Sequence, residues 1–143
     1  MNSIHIFWPV LAQIFLTLTM FILLGARKVK AVKAGEVNRQ QAALNNQVWP
    51  DEVVKVSNNI ANQFEAPVLF FVLCLVLYSI NAAGTAAISL AWLFALSRYA
   101  HAYVHTGSNY VPMRFRLFLT GCLVLIGMLI LVAWELVAGA VAA

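Results

Sequence analysis

Charge is what this chain has least of. Only 10% of its 143 residues are charged, where a soluble domain carries about 25%. Residues 1–26 contain no Asp, Glu, Lys or Arg, and neither do residues 66–97. Runs of that length exclude an ordinary soluble fold, because too little polar surface remains to face water. Cysteine is nearly as scarce. Cys74 and Cys122 lie in separate apolar runs, with no CxxC and no Cys/His cluster. A disulfide framework and a zinc module are therefore excluded, and both thiols read as buried and free. Internal repeats and low-complexity tracts are missing too. What is abundant is apolar side chain, at 63% of residues, with a mean hydropathy of +0.86. The class is integral membrane protein. The basic balance, with a pI near 9.4, does not point to nucleic acid. The cations sit in short segments beside apolar runs, the arrangement that orients membrane helices.

About 20 apolar residues cross a bilayer, and four segments qualify: residues 4–24, 58–80, 86–105 and 113–137. The middle pair share one charge-free stretch, too long for a single span. Asn81-Ala82-Ala83-Gly84-Thr85 supplies the turn that divides it. The first run lacks the basic flank and compact cleavage site of a signal peptide and reads as a retained helix. The expected fold is all-α: a four-helix membrane bundle of up-down topology, one domain over residues 1–143. The nine basic residues are Arg27, Lys28, Lys30, Lys33, Arg39, Lys55, Arg98, Arg114 and Arg116. All fall on one side of the four spans or in the half nearest that side. The positive-inside rule then places both termini outside and the connections 27–55 and 106–113 in the cytoplasm. Trp8 and Trp134 become anchors at the outer interface.

Ionisable groups inside spans are costly and tend to be functional. Asn58, Asn62 and Glu65 are spaced four and three apart on the second span, hence on one helix face. Arg98, His101 and His105 are spaced three and four apart on the third. Glu65 lies seventeen residues before Ala82, and Arg98 lies sixteen after it. Folding the hairpin there matches their depths to within a turn, at about 1.5 Å per residue. The expectation is a polar ladder: Asn58 opposite His105, Asn62 opposite His101, and a buried Glu65–Arg98 ion pair at its deep end. Each rung is also open to a packing role, because amides and imidazoles hydrogen-bond between membrane helices.

With Arg27, Lys28, Arg114 and Arg116 at the same membrane face, the fitting ligand is a small anion bearing carboxylates or phosphates. A lipophilic second substrate would reach it laterally from the lipid. There is no Ser/His/Asp arrangement at usable spacing. His101 and His105 lack an evident third metal ligand, so no metal is expected.

Asn-x-x-Glu-x-Pro at Asn62 to Pro67, Arg-x-x-His at Arg98 to His101, four spans and a long first connection together resemble the MAPEG family, the membrane-associated proteins of eicosanoid and glutathione metabolism. The run from Asn62 to Phe71 is similar to the bacterial branch, which implies a bacterial inner membrane. The resemblance covers essentially the whole chain. It implies a homotrimer that binds glutathione at the subunit interface as co-substrate. It implies addition to lipophilic electrophiles or reduction of hydroperoxides. Matched position by position, it implies that Asn62, Glu65, Arg98, His101, His105 and Arg27 hold glutathione and that Arg114 stabilises its thiolate. Enzymatic members usually carry arginine at one or both of the positions of Asn58 and Ala61, and commonly tyrosine at that of His105. The alternative is a non-catalytic membrane protein of the same fold that binds an anionic ligand or lipid headgroup, or serves as an assembly partner.

Overall fold

The structure, a computed structural model, describes residues 3–142. A 3₁₀ turn, Ser3–Ile6, leads into α1 (Phe7–Lys33). Pro9 falls in the first turn of α1, where its missing N–H costs nothing. The helix stops at Gly35, whose φ of 70° is the left-handed region that glycine enters freely. Gly35 N donates to Val32 O, and Glu36 N donates to Ala31 O, which closes the last turn. A short α2 (Arg39–Ala42) follows, capped by the Asn38 side-chain oxygen, which accepts from the N–H groups of Gln40 and Gln41. The first connection therefore holds about two further turns of α1, two short helical pieces, Arg39–Ala42 and Asn46–Val48, and the start of the helix that opens at Asp51.

The second span departs from the expected single helix. It is α3 (Asp51–Gln63) and α4 (Ala66–Ser79), separated at Phe64 and Glu65. Pro67 is the cause. Its ring collides with the carbonyl four residues earlier, at Gln63, and it has no N–H to donate there. Pro67 is instead accommodated in the first turn of α4. The expected turn between the middle spans forms where the sequence places it. Asn81 takes a φ of 58°, and Asn81 N and Ala82 N cap Tyr78 O and Leu77 O. Then come α5 (Thr85–Thr106) and α6 (Val111–Ala142).

Among the described residues, three stretches are long and apolar enough to cross a membrane: Ser3–Lys33, Asp51–Ser79 and Val111–Val141. The helix α5 has the length, at 22 residues, but its buried polar face of Ser97, Arg98, His101, His105 and Thr106 lowers its hydropathy. It is the helix most enclosed by the others, packing against α1, α3, α4 and α6. The main core is made by Phe70, Cys74 and Leu77 of α4, Ala87, Ala91 and Phe94 of α5, and Val124, Met128 and Val132 of α6. Phe70 and Phe94 stack with ring centroids 4.5 Å apart. Gly121 of α6 faces α5, where an added Cβ would make ordinary van der Waals contact, 3.4 Å from Ser97 Oγ and 3.6 Å from Phe94. Outside this core, Trp8, Phe15, Ile22, Leu69, Leu96, Ile130 and Trp134 all face outward. Such a surface suits lipid, not water.

Candidate functional site

The break between α3 and α4 shapes the polar end of the bundle. A helix end leaves carbonyls without N–H partners, and Arg98 is positioned to answer this. Its guanidinium, fully buried, donates from Nη2 to Asn62 O at 3.4 Å. A cation at a helix C-terminus also meets the negative end of the helix dipole. The expected Glu65–Arg98 ion pair is therefore not formed among the described residues. Glu65 is exposed at the N-terminal end of α4, where the dipole favours a carboxylate, and Arg98 turns to backbone. Its Nε and Nη1 are buried without a partner among the described residues.

The register of the ladder also differs from expectation. The face that α3 buries carries Val53, Val56, Asn59 and Gln63, one position on from the stripe of Asn58 and Asn62. Asn59, not Asn58, faces His105, with Nδ2 to Nδ1 at 3.4 Å. Gln63 Nε2 donates to Asn59 Oδ1 at 3.1 Å, and Gln13 Nε2 of α1 donates to Gln63 Oε1 at 2.7 Å. Three buried amides thus connect α1 through α3 to the imidazole on α5. The sequence signal for these linked amides was Gln13, the one amide within residues 4–24, together with the i, i+4 pair Asn59 and Gln63.

The stripe of Asn58, Asn62 and Glu65 lines open pockets instead. Asn62, Glu65, His101, Arg114 and Phe118 border a pocket of about 280 Å³. Asn58, Lys55, His105, Asn109 and Arg114 border a second of about 240 Å³. Arg114 is common to both. Its Nη1 donates to Asn109 Oδ1 at 2.8 Å, and its Nε is buried with no partner among the described residues. Asn109 earns its place in the loop by a left-handed φ of 55°, a conformation asparagine tolerates. The rings of His101 and His105 meet edge to face at 5.4 Å, and His101 Nδ1 is a further buried atom without a partner among the described residues.

Glu65 and Phe118 also border an apolar groove of about 620 Å³ between α4 and α6. Leu69, Leu73, Leu125 and Leu129 line it, with Cys122 on its wall. A polar pocket and an apolar groove thus share a rim.

Arg27 stands apart from these pockets. Its guanidinium bonds Glu52 through Oε2 at 3.2 Å and through the backbone oxygen at 2.6 Å. It also donates to Thr106 O, the end of α5, at 3.1 Å. The structure thus gathers Asn62, Glu65, His101 and Arg114 around one pocket and His105 with Arg114 around the next. It buries Arg98 behind them and ties Arg27 to the start of α3. Among the described residues, no group of three His, Cys, Asp or Glu side chains is close enough to hold a metal.

Compared with known protein families, residues 6–134 match the family described as MAPEG. No curated protein and no solved structure matches the chain.

Proposed function

Because the chain belongs to the MAPEG family, which includes glutathione transferases and peroxidases, we propose that it is a membrane-bound glutathione-dependent transferase or peroxidase acting on lipophilic electrophiles or hydroperoxides. The observation that carries this reading is the shared rim. The 280 Å³ polar pocket holding Arg114 meets the 620 Å³ apolar groove at Glu65 and Phe118. A water-soluble thiol and a lipid-soluble partner would meet at such a boundary.

Arg114 carries the chemistry in this proposal. A free thiol has a pKa of about 8.5 and is a weak nucleophile while protonated. A guanidinium beside the sulfur favours the thiolate and stabilises the charge it carries toward the transition state. In conjugation, the thiolate sulfur forms a bond to the electrophilic carbon, and a halide leaves or an epoxide opens. In peroxide reduction, two thiols give one disulfide while the hydroperoxide becomes an alcohol and water. Asn62, Glu65 and His101 would hold the polar groups of glutathione in the same pocket, with His105 beside Arg114 in the next. Arg98 would support the site from behind. Arg27 would contribute by fixing the ends of α3 and α5, or from a neighbouring subunit in the homotrimer that the resemblance implies. The orientation proposed is both termini outside, with the arginine-rich end of the bundle at the cytoplasmic face of a bacterial inner membrane.

The non-catalytic alternative rests on Arg98. A buried cation that bonds only helix backbone is what a packing lock would look like. Titration of detergent-solubilised protein with glutathione separates the two readings. The enzyme develops ultraviolet thiolate absorbance and conjugates a generic aryl halide with release of halide. Absence of both would overturn the transferase reading.

A further inference from the structure

Beyond the arginine pockets and the apolar groove, the bundle holds a further cavity, of about 560 Å³. It lies between the last turns of α1 and the short α2. Lys28, Lys33 and Arg39 supply three cations to its wall, Trp49 an indole, and Val29 and Val32 an apolar strip. Lys28 Nζ sits 4.9 Å from the centre of the Trp49 ring. This cation–π contact fixes one ammonium without neutralising it.

The charge balance of the cavity is unlike that of its neighbour. The adjacent pocket, which holds Arg27 and Lys30, also contains the carboxylates Glu36 and Glu52. None of the chain's five acidic residues lines the cavity of Lys28, Lys33 and Arg39. Among the described residues, these three cations form no ion pair, while Arg27 and Lys55 both pair with Glu52. Lys28 is half-buried while Lys33 and Arg39 are exposed, so solvent screens part of their mutual repulsion, and an anion in the cavity would relieve the rest.

Depth identifies that anion. The charge-free run of α1 ends at Ala26. Lys28 and Lys33 lie two and seven residues beyond it, or about 3 and 10 Å along the helix axis. The headgroup layer of a leaflet occupies about 5–8 Å outside the hydrocarbon. The cations therefore bracket the level of lipid phosphates, and Trp49 is a residue type that concentrates at that level. Val29 and Val32 lie at the same level and give the headgroup an apolar wall, and on the same face of α1 the exposed Ile22, seven residues before Val29, is where an acyl chain would lie.

We infer that this cavity binds a phosphate-bearing anion, and that its source is an anionic glycerophospholipid of the surrounding leaflet. The bound headgroup would hold α2 and the Trp49 segment against α1. This assignment stands whether or not the arginine pockets handle glutathione.

The test uses the full chain in neutral detergent. Thermal stability is measured with added phosphatidylglycerol, with phosphatidylcholine, and with glycerol 3-phosphate alone. Phosphatidylglycerol should raise the melting temperature, and phosphatidylcholine should not. A basic residue near an anionic surface changes affinity about fivefold. The triple variant Lys28→Gln, Lys33→Gln and Arg39→Gln should therefore need about a hundredfold more lipid for the same shift. Lys30→Gln and Arg116→Gln each remove one charge from the same end of the bundle, outside the cavity, and should respond as the parent does, whereas Lys33→Gln alone should need about fivefold more lipid. Equal loss in those controls would mean diffuse surface attraction and would overturn the site. So would an absent or headgroup-independent lipid shift. Protection by glycerol 3-phosphate that lipid does not exceed would overturn the lipid source.

Discussion

At the scale of single residues, the acid and the two arginines of the site separate into different kinds of work. Glu65 is exposed and pairs with no cation among the described residues, so Glu65→Gln should change stability by no more than about 0.5 kcal/mol. Its effect should fall on glutathione affinity, read as a rise in KM. Arg98 is fully buried and bonds a carbonyl at the broken end of α3. Arg98→Met leaves that carbonyl without its donor, and a buried polar group left unsatisfied costs about 1–3 kcal/mol. A thermal melt of the two variants side by side checks this asymmetry. Equal destabilisation would restore the ion pair that the sequence suggested. Arg114 differs again, being half-buried and at the junction of two pockets. Arg114→Ala should lower conjugation turnover about 100- to 1,000-fold, the scale of losing one charge-stabilising donor, while the melting temperature and oligomer are kept. Loss of the oligomer instead would make Arg114 a structural residue. Asn109→Gly keeps the left-handed backbone and releases the Arg114 side chain without removing its charge, so a smaller loss of turnover is expected from the same assay.

Among the elements, the legible and the illegible can be told apart by their physical cause. The turn at Asn81 was legible because turn residues interrupt an apolar run at mid-length. The residue types of the site were legible because charge is so rare in this chain. The break at Phe64 and Glu65 was not, although Pro67 was in plain view. A proline can open a helix or kink it, and which occurs depends on whether the freed carbonyls find donors. Here the donor came from Arg98, thirty-six residues away. The rotation of α3 was illegible for a related reason. Asn58, Asn59, Asn62 and Gln63 form two polar stripes about 100° apart, and packing alone selects which one turns inward. Asn59 and Gln63 were selected because Gln13 of α1 completes their hydrogen bonds. The three amides should therefore behave as a unit. Gln63→Leu strands the Gln13 and Asn59 amides and should destabilise by about 1–3 kcal/mol. Adding Gln13→Leu should cost less than it does alone, with a coupling of about 0.5–3 kcal/mol between the two sites. Strict additivity in denaturation of the four proteins would show that water already satisfies these groups.

For the whole molecule, the outward-facing apolar side chains and the family membership make this an integral multi-pass membrane protein of four-helix fold, and what remains is which way it faces. All nine Lys and Arg residues lie at or toward one end of the bundle. The Asn81 turn belongs to the other end and carries none. Retention of Lys and Arg on the cytoplasmic side would give the proposed orientation, with both termini outside. Two added cysteines test it. Gly84 has open space around a Cβ and no positive φ, so Gly84→Cys places a thiol in the turn without strain. Gln40 is exposed on α2, so Gln40→Cys does the same at the basic end. Cys74 is buried and contributes little background, and Cys122→Ala removes the half-buried thiol. A membrane-impermeant maleimide applied to intact cells should label Gly84→Cys at once and Gln40→Cys only after permeabilisation. The reverse pattern would place the Arg114 pockets outside the cell, away from a cytoplasmic supply of thiol, and would remove the glutathione proposal together with the orientation.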